Sequence, residues 1–223
     1  MDSVSGRKLP VSAIIPTCNR LEVLKRTLQS ISEQNLQPFE IIIIDASPDD
    51  TTYNLCISGI EGLISEISWY KAVIKGAASQ RNQGTQVSNC NYILYLDDDI
   101  ILEQNCLENL WNGMFNNEKA GGVGAVVMNQ LYQNPGRISR FMFKIMSGVK
   151  YDSYAGKCIG PAWNIRPDYH ESQPRYVRVE WLSTVCVLYR RDVLPQPVFP
   201  HFFTGYSYPS LLHKPFCFFF AGR

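Results

Sequence analysis

The sequence lacks the apolar segments that target a protein to a membrane or anchor it there. A membrane-spanning helix needs about 20 consecutive apolar residues, and the longest mostly apolar clusters, 39–44 and 216–221, are far shorter. The first ten residues contain no apolar core, so we expect no signal peptide. We therefore expect a cytoplasmic protein without a transmembrane segment, and peripheral contact with the inner face of a membrane stays open.

The chain also lacks a surplus of charge of either sign. Its 223 residues include 21 Lys and Arg against 20 Asp and Glu, which gives a formal net charge of +1. Proteins that bind nucleic acids through a strong basic field carry a marked excess of Lys and Arg. We therefore expect no nucleic-acid partner and no general attraction to anionic membranes.

Several catalytic and metal-binding motifs are missing as well. The sequence contains no Walker-type phosphate loop, no G-x-S-x-G nucleophile motif and no C-x-x-C pair. The cysteines form an odd, unpatterned set, which predicts reduced thiols that act as small buried hydrophobic side chains. The histidines have no metal-ligand spacing. The cysteines are Cys18, Cys56, Cys90, Cys106, Cys158, Cys186 and Cys217, and the histidines are His170, His201 and His213.

Apolar periodicity predicts strands that alternate with helices through residue 128. An alternation at about 25-residue intervals is typical of βαβ units. We therefore predict an α/β protein with a doubly wound, mostly parallel sheet. Asn19 is the expected N-cap of the first helix, with Glu22 as its capping-box partner. The expected strands are 11–15, 39–44, 67–73, 92–96 and 120–128, and the expected helices are 21–34, 53–64, 77–87 and 106–115.

The pattern becomes irregular after residue 128. Glycine, proline and aromatic residues predict a looping segment over 129–177, with one short helix at 138–146. Strand character returns over 178–189.

Polar residues directly follow three of the predicted strands. Ligands of doubly wound sheets bind beyond the carboxyl ends of the strands, so we expect Pro16, Thr17, Asp45 and the triplet 97–99 to converge at one edge. Three adjacent carboxylates repel one another and lose solvation when they are buried. A divalent cation or donor hydroxyl groups would relieve that repulsion, and carboxylate oxygens are ligands that suit Mg²⁺ or Mn²⁺. By itself the acidic triplet supports a solvated surface turn equally well.

Two further polar residues allow two interpretations each. Asp45 can accept hydrogen bonds from a nucleotide base or from ribose, or it can cap a helix that begins near Pro48. Arg81 can bind a diphosphate through two N–H groups of its guanidinium, or it can lie on a solvated face of the predicted helix 77–87.

Taken together, four segments of the sequence resemble glycosyltransferase family 2, the inverting enzymes of the GT-A fold. The segments occur in the order and at the spacing of that family. They are Val11-Ser-Ala-Ile-Ile-Pro-Thr-Cys-Asn-Arg20, Glu40-Ile-Ile-Ile-Ile-Asp45-Ala-Ser, Ala78-Ser-Gln-Arg81-Asn82-Gln-Gly84 and Tyr92-Ile-Leu-Tyr-Leu-Asp97-Asp-Asp99.

The resemblance implies a nucleotide-diphosphate sugar donor, a divalent cation, Mg²⁺ or Mn²⁺, and a glycan or lipid-linked acceptor of the kind used in polysaccharide biosynthesis. It implies that Asp45 meets the base, that Asp97 points towards ribose and that Asp99 holds the metal in a D-x-D motif. Trp181 would pack against the donor sugar or the acceptor. The residues that the resemblance places around the donor are Pro16, Thr17, Arg20, Asp45, Arg81, Asp97 and Asp98.

The resemblance divides the chain into regions. It implies an N-terminal extension over 1–10 and a GT-A domain over 11–208, with a donor half at 11–128 and an incomplete acceptor-side portion at 129–208. In the family, an aromatic segment such as 202–208 leads to an acidic pair, whose second carboxylate is the general base. Here an atypical tail over 209–223 follows, without Asp or Glu.

The missing acidic pair leaves the general base unidentified and predicts impaired transfer. His201 and His213 are poor substitutes for a carboxylate base, and the tail resembles a truncated or frame-shifted end. Two other functions stay open: a non-catalytic nucleotide-sugar binding module and a nucleotidyltransferase. A nucleotidyltransferase would favour a glycine-rich phosphate loop after the first strand, and residues 16–20 contain no glycine.

Overall fold

A computed structural model describes residues 8–117, 119–129, 132–148, 151–159, 163–165, 176–200 and 217–220. Within these residues the chain forms ten strands and five α-helices. The strands are β1 (Lys8–Thr17), β2 (Gln37–Asp45), β3 (Glu66–Lys71), β4 (Tyr92–Leu96), β5 (Gly122–Ala125), β6 (Cys158–Ile159), β7 (Trp163–Asn164), β8 (Tyr176–Val179), β9 (Cys186–Arg190) and β10 (Cys217–Phe220). The helices are α1 (Leu21–Ser32), α2 (Thr51–Ser58), α3 (Ala77–Val87), α4 (Cys106–Phe115) and α5 (Arg137–Ser147).

Eight of the strands form one mixed sheet in the order β3-β2-β1-β4-β9-β5-β10-β8. Strands β3, β2, β1 and β4 run parallel to one another. Strand β9 lies antiparallel between β4 and β5, and β10 pairs parallel with β5 and antiparallel with β8. The predicted α/β class with a mostly parallel sheet is therefore confirmed.

The two faces of the sheet carry separate hydrophobic clusters. Alternate residues of β1 and β2 point to opposite faces: Ile15 and Ile43 belong to the cluster that packs against α1 and α4, whereas Ile14 and Ile42 belong to the cluster that includes α3. The sequence of a strand that is buried on both faces is a continuous apolar run. This is why β2 contains four consecutive isoleucines, all almost fully buried.

Helix α3 packs unusually closely on β1. A Cβ atom on Gly84 would lie 2.4 Å from Cγ2 of Ile14, so only glycine allows this approach. The close packing buries the polar side chains of Gln80, Arg81 and Asn82 on the same helix. The interpretation of Arg81 as part of a solvated helix face is therefore wrong.

Several local predictions differ from the structure. Asn19 does not cap α1: it adopts a left-handed conformation with φ of 57°, and Arg20 occupies the N-cap position without a side-chain hydrogen bond to the first turn of the helix. The single strand expected over 178–189 is two strands, because a turn at residues 180–185 separates β8 from β9. Six cysteines whose side chains the structure describes are free thiols, and of these six only Cys106 and Cys186 are buried.

The C-terminal tail enters the sheet in part. Residues Cys217–Phe220 form β10, between β5 and β8. His201, Tyr208, His213 and the remainder of the predicted tail lie outside the described residues. No helix among the described residues has both the length and the apolar character to cross a membrane.

Candidate functional site

The carboxyl ends of β1, β2 and β4 meet at one edge of the sheet, as the sequence predicts. Pro16 and Thr17 end β1 and lie beside Ile44 and Asp45 of β2. The hydroxyl of Thr17 donates a 2.7 Å hydrogen bond to Oδ2 of Asp98, which follows β4. Residues separated by 81 positions in the sequence are thus joined at this edge.

Gln80 of α3 ties the ends of β1 and β2 together. Its Nε2 donates to the carbonyl of Thr17 at 2.9 Å and to the carbonyl of Ile44 at 2.7 Å. Both carbonyls lie where regular strand pairing ends, and buried carbonyls need partners. Gln80 therefore fixes the backbone of the site, a role that the sequence analysis did not assign.

Arg20 connects the site to the second and third carboxylates of the triplet. Its Nη1 donates to Oδ1 of Asp98 at 2.8 Å, and its Nη2 donates to Oδ2 of Asp99 at 2.9 Å. The hydrogen bond to Asp99 raises the pKa of Arg20. Burial raises the pKa of Asp98 above its ordinary value, whereas the Thr17 hydroxyl and the charge of Arg20 oppose that rise.

Arg81 neutralises the first carboxylate of the triplet. Its Nη2 donates to Oδ1 of Asp97, and the guanidinium carbon lies 5.7 Å from the ring centre of Phe199. Nε of Arg81 is buried without a hydrogen-bond partner among the described residues. Burial raises the pKa of Asp97, and the positive charge of Arg81 opposes that rise. Arg81 thus holds a carboxylate, and its interpretation as a diphosphate ligand, one of the two that the sequence left open, stays a prediction.

The acidic triplet is not a solvated turn. Only the side chain of Asp99 is well exposed, at 46%, whereas those of Asp97 and Asp98 expose 19% and 6%. The backbone is fixed too, because Thr27 of α1 donates to the carbonyls of Asp98 and Ile100, both at 2.8 Å. Asp99 is therefore the carboxylate of the triplet that is most accessible to a ligand.

Asp45 is fully buried and has its own internal partners. Its Oδ1 accepts hydrogen bonds from the amide and the hydroxyl of Ser47, and its Oδ2 lies 3.3 Å from the indole nitrogen of Trp69. Helix α2 begins later, with Asp50 at its N-cap position. The interpretation of Asp45 as a helix cap is therefore wrong.

Trp181 lies in the turn between β8 and β9. The far end of this turn reaches the site, since the amide of Asp97 donates to the carbonyl of Val185 at 3.0 Å. The half-buried Trp181 indole donates to the carbonyl of Ile165 at 2.8 Å. No described hydrogen bond links Trp181 to the acidic triplet, so its expected contact with sugar or acceptor stays a prediction.

The donor set suits a metal ion that keeps most of its own ligands. Among the described residues, no group of three or more His, Cys, Asp or Glu side chains could enclose an ion. Asp99 is half exposed, and its Oδ2 is engaged by Arg20. Mg²⁺ commonly binds through one or two carboxylates while waters and phosphate oxygens complete its shell. The residues present fit that mode and do not fit an all-protein cage.

A cavity of about 560 Å³ lies away from this edge. Its lining includes Asn91 and Tyr92 at the amino end of β4, together with Arg190 at the end of β9. The acidic triplet follows the other end of β4. The cavity is thus separate from the candidate site.

Comparison with known sequences assigns the family. The family model "Glycosyl transferase family 2" matches residues 12–196, and the chain belongs to this family. This membership supports the resemblance drawn from the sequence and favours a glycosyltransferase over a nucleotidyltransferase.

The chain is similar to parts of longer transferases. It is 36% identical over 105 residues to the poly(ribitol-phosphate) beta-N-acetylglucosaminyltransferase TarP of Staphylococcus aureus, covering 46% of this chain and 32% of that protein. It is 26% identical over 133 residues to the GalNAc(5)-diNAcBac-PP-undecaprenol beta-1,3-glucosyltransferase of Campylobacter jejuni, covering 58% of this chain and 41% of that protein. The aligned segments thus span less than half of either relative.

Among solved structures, the chain overlays on glucosyl-3-phosphoglycerate synthase from Mycobacterium tuberculosis with a TM-score of 0.49 and 17% identity. The overlay covers 85% of this chain and 59% of that one.

The residues that hold the predicted site residues in place were not among those predicted from the sequence. Ser47, Trp69 and Gln80 all contact Asp45 or the ends of β1 and β2. Lys71 ends β3 beside Asp45, and Trp69 lies two residues before it. The predicted strand 67–73 contains both residues, so the rule that selected residues directly after a strand did not select them.

Proposed function

We propose that this chain binds a nucleotide-diphosphate sugar at the carboxyl ends of β1, β2 and β4 and transfers the sugar, with inversion, to a hydroxyl of a glycan or lipid-linked acceptor. The observation that carries the proposal is the joined arrangement of Thr17, Arg20 and the acidic triplet at this edge. Family membership supports the reaction class. The names of the two relatives, both glycosyltransferases, support a sugar donor.

The side chains divide into donor contacts and positioning residues. In this proposal Asp45 recognises the base, and the Pro16–Thr17 backbone and Arg20 line the nucleoside pocket. Asp97 meets ribose, while Arg81 positions Asp97 through their ion pair. Asp98 acts through Thr17 and Arg20, because both of its carboxylate oxygens already accept from them.

Asp99 would hold a divalent cation, Mg²⁺ or Mn²⁺, together with oxygens of the donor diphosphate. A bound cation stabilises the negative charge that develops on a departing diphosphate. Arg20 lies on the same carboxylate, so the guanidinium must share Asp99 with the ion or turn towards the diphosphate. Arg20 therefore compensates the charge of Asp99 before the donor arrives.

We assign no general base among the residues that the structure describes. Asp192 is the last carboxylate side chain in the sequence, and it lies with Arg190 beside the cavity at the opposite edge. General-base help is worth about 10²–10⁴-fold in rate. We propose that this chain binds the donor normally and transfers sugar slowly. The alternative, a donor-binding module without catalysis, differs only in having no transfer at all.

Calorimetric titration tests the donor site. UDP and GDP are titrated with and without Mn²⁺ into the wild type, Asp99→Ala and Asp97→Ala. We expect Asp99→Ala to abolish the Mn²⁺ dependence of binding. We expect Asp97→Ala to weaken binding by about 1.5–3 kcal/mol per lost charge-assisted hydrogen bond. The matched control is Asp192→Asn, which removes an exposed carboxylate away from the site.

Two results would contradict the proposal. Unchanged Mn²⁺-dependent binding in Asp99→Ala would remove the metal assignment, and equal losses in Asp192→Asn would show a general charge effect. Transfer is then measured with radiolabelled donor sugars and hydroxyl acceptors. Release of sugar to water without transfer would leave donor binding in place and reject the acceptor half of the proposal.

A further inference from the structure

Helix α5 turns its large apolar side chains outward. Five of them are well exposed, and they recur at i, i+3, i+4, i+7 and i+8, which places them on one face of the helix. They are Ile138 at 79%, Phe141 at 65%, Met142 at 51%, Ile145 at 67% and Met146 at 42%. Water-soluble helices normally bury such a stripe, and contiguous exposed apolar patches mark interaction surfaces.

The same helix carries only positive charge. Arg137, Arg140 and Lys144 are all exposed, and no Asp or Glu occurs between Arg137 and Ser147. Their spacing of three and four residues places the cations together along one flank of the apolar stripe. None of the three forms an ion pair with another described residue. Among the described residues, Arg140 donates only to the carbonyl of Asp152, so no carboxylate there cancels its charge.

The opposite side of α5 attaches the helix to the rest of the chain. Phe143 is the buried residue of the helix, and its ring centre lies 5.3 Å from that of Tyr154. The carbonyl of Gly156 accepts a 2.8 Å hydrogen bond from the amide of Glu180. Glu180 begins the turn whose other end, at Val185, bonds the amide of Asp97. The helix is therefore connected through packed residues to the edge that carries the candidate site.

We infer that the exposed face of α5 docks on an anionic lipid surface. An apolar stripe flanked by Lys and Arg is the composition of helices that lie in the membrane interface. Phosphate headgroups complement the three cations, whereas a second copy of the helix would oppose them with like charge. The net charge of +1 for the whole chain does not prevent docking, because the attraction acts within a Debye length.

Sedimentation with lipid vesicles tests this inference without sugar transfer. The full chain is mixed with vesicles of phosphatidylcholine alone and with vesicles of equal parts phosphatidylcholine and phosphatidylglycerol. We expect binding to the anionic vesicles that salt weakens. Replacing three cations (Arg137→Gln, Arg140→Gln and Lys144→Gln) should weaken it about a hundredfold, since each basic residue near an anionic surface contributes roughly fivefold.

A second triple variant, Ile138→Ser, Phe141→Ser and Ile145→Ser, removes the apolar stripe and should abolish binding. Its matched control replaces three exposed apolar residues elsewhere, Ile57→Ser, Ile64→Ser and Val73→Ser, and should bind like the wild type. Circular dichroism checks that each variant is folded. UDP titration in the same samples should be unchanged, so a failure of docking is distinguishable from a failure of the donor site.

The fluorescence of a tryptophan introduced on α5 tests directly whether the helix enters the lipid surface. In Phe141→Trp, we expect a blue shift and quenching by brominated lipids when anionic vesicles are added. Equal binding by the stripe variant and the wild type would overturn the inference. So would binding that does not require phosphatidylglycerol, or a dimer in sedimentation velocity that the stripe variant abolishes.

Discussion

The guanidinium of Arg81 lies against the carboxylate of Asp97, and the two side chains expose only 5% and 19% of their surface. The pair joins α3 to the end of β4 across the face of the sheet that holds Phe199. Both charged groups are largely desolvated, so each is stabilised mainly by the opposite charge of the other. Much of the rigidity of the candidate site therefore rests on one buried ion pair.

Breaking this ion pair from either side should destabilise the fold. Asp97→Asn leaves the buried guanidinium without its counter-charge, and we expect a loss of about 3 kcal/mol in the free energy of unfolding. The double variant Arg81→Met/Asp97→Leu replaces both charges by apolar side chains and should recover most of that loss. Urea unfolding of the wild type and the two variants measures this. A double variant no more stable than Asp97→Asn would contradict the expected coupling.

Asp45→Asn should cost stability although Asn has almost the same shape. The amide can accept from Ser47 with its oxygen, but its NH₂ group then faces the N–H of Trp69. We expect a loss of about 1–3 kcal/mol, the cost of a buried donor without an acceptor. In a Trp69→Phe background the same substitution should cost less, because the opposing donor is gone.

Thermal unfolding of the four proteins in that cycle gives the coupling between Asp45 and Trp69. UDP and GDP titrations beside it test base recognition separately. Equal costs of Asp45→Asn in both backgrounds would show that the 3.3 Å contact with Trp69 contributes nothing.

Tyr95 should make the fold sensitive to high pH. Burial raises the pKa of its hydroxyl to about 12, against an opposing hydrogen bond with Thr85. Thr85 donates to the carbonyl of Arg81, so Tyr95 donates to Thr85 at 2.7 Å. The unfolded chain releases this proton near pH ~10 and the folded chain only near the higher value. The contribution of Tyr95 to stability is therefore complete below pH ~10 and is lost as the pH rises towards about 12.

Urea unfolding at pH ~9 and pH ~11 measures this effect. Between these values, the wild type should lose about 1 kcal/mol more than Tyr95→Phe, which has no proton to release. The other tyrosines titrate in both proteins and cancel in the difference. Parallel curves for the two proteins would show that Tyr95 does not control the alkaline loss.

The sequence by itself determined the positions of most helices and strands up to residue 128. Burial of a strand or a helix face leaves a pattern of apolar residues within a short stretch of sequence. Strand β2 shows it as a continuous apolar run, and α1 shows it as the helical spacing of Leu24, Leu28 and Ile31. Helix α3, strand β4 and helix α4 begin and end where the sequence predicts. The rule for the carboxyl ends of parallel strands then placed Thr17, Asp45 and the acidic triplet at one edge.

Only the tertiary structure decided which of these groups pair. Arg20 and Asp98 are 78 positions apart, and Asp45 and Trp69 are 24 apart, so no local pattern contains either contact. The same holds for β9, which enters antiparallel between β4 and β5 from a distant part of the chain. Hydrophobic periodicity indicates whether a residue is buried. Which charged side chains form pairs depends instead on which strands and helices become neighbours in the fold. For that reason the sequence determined which residues meet at the candidate site, and the folded chain decided that Arg81 holds Asp97 and Arg20 holds Asp98 and Asp99.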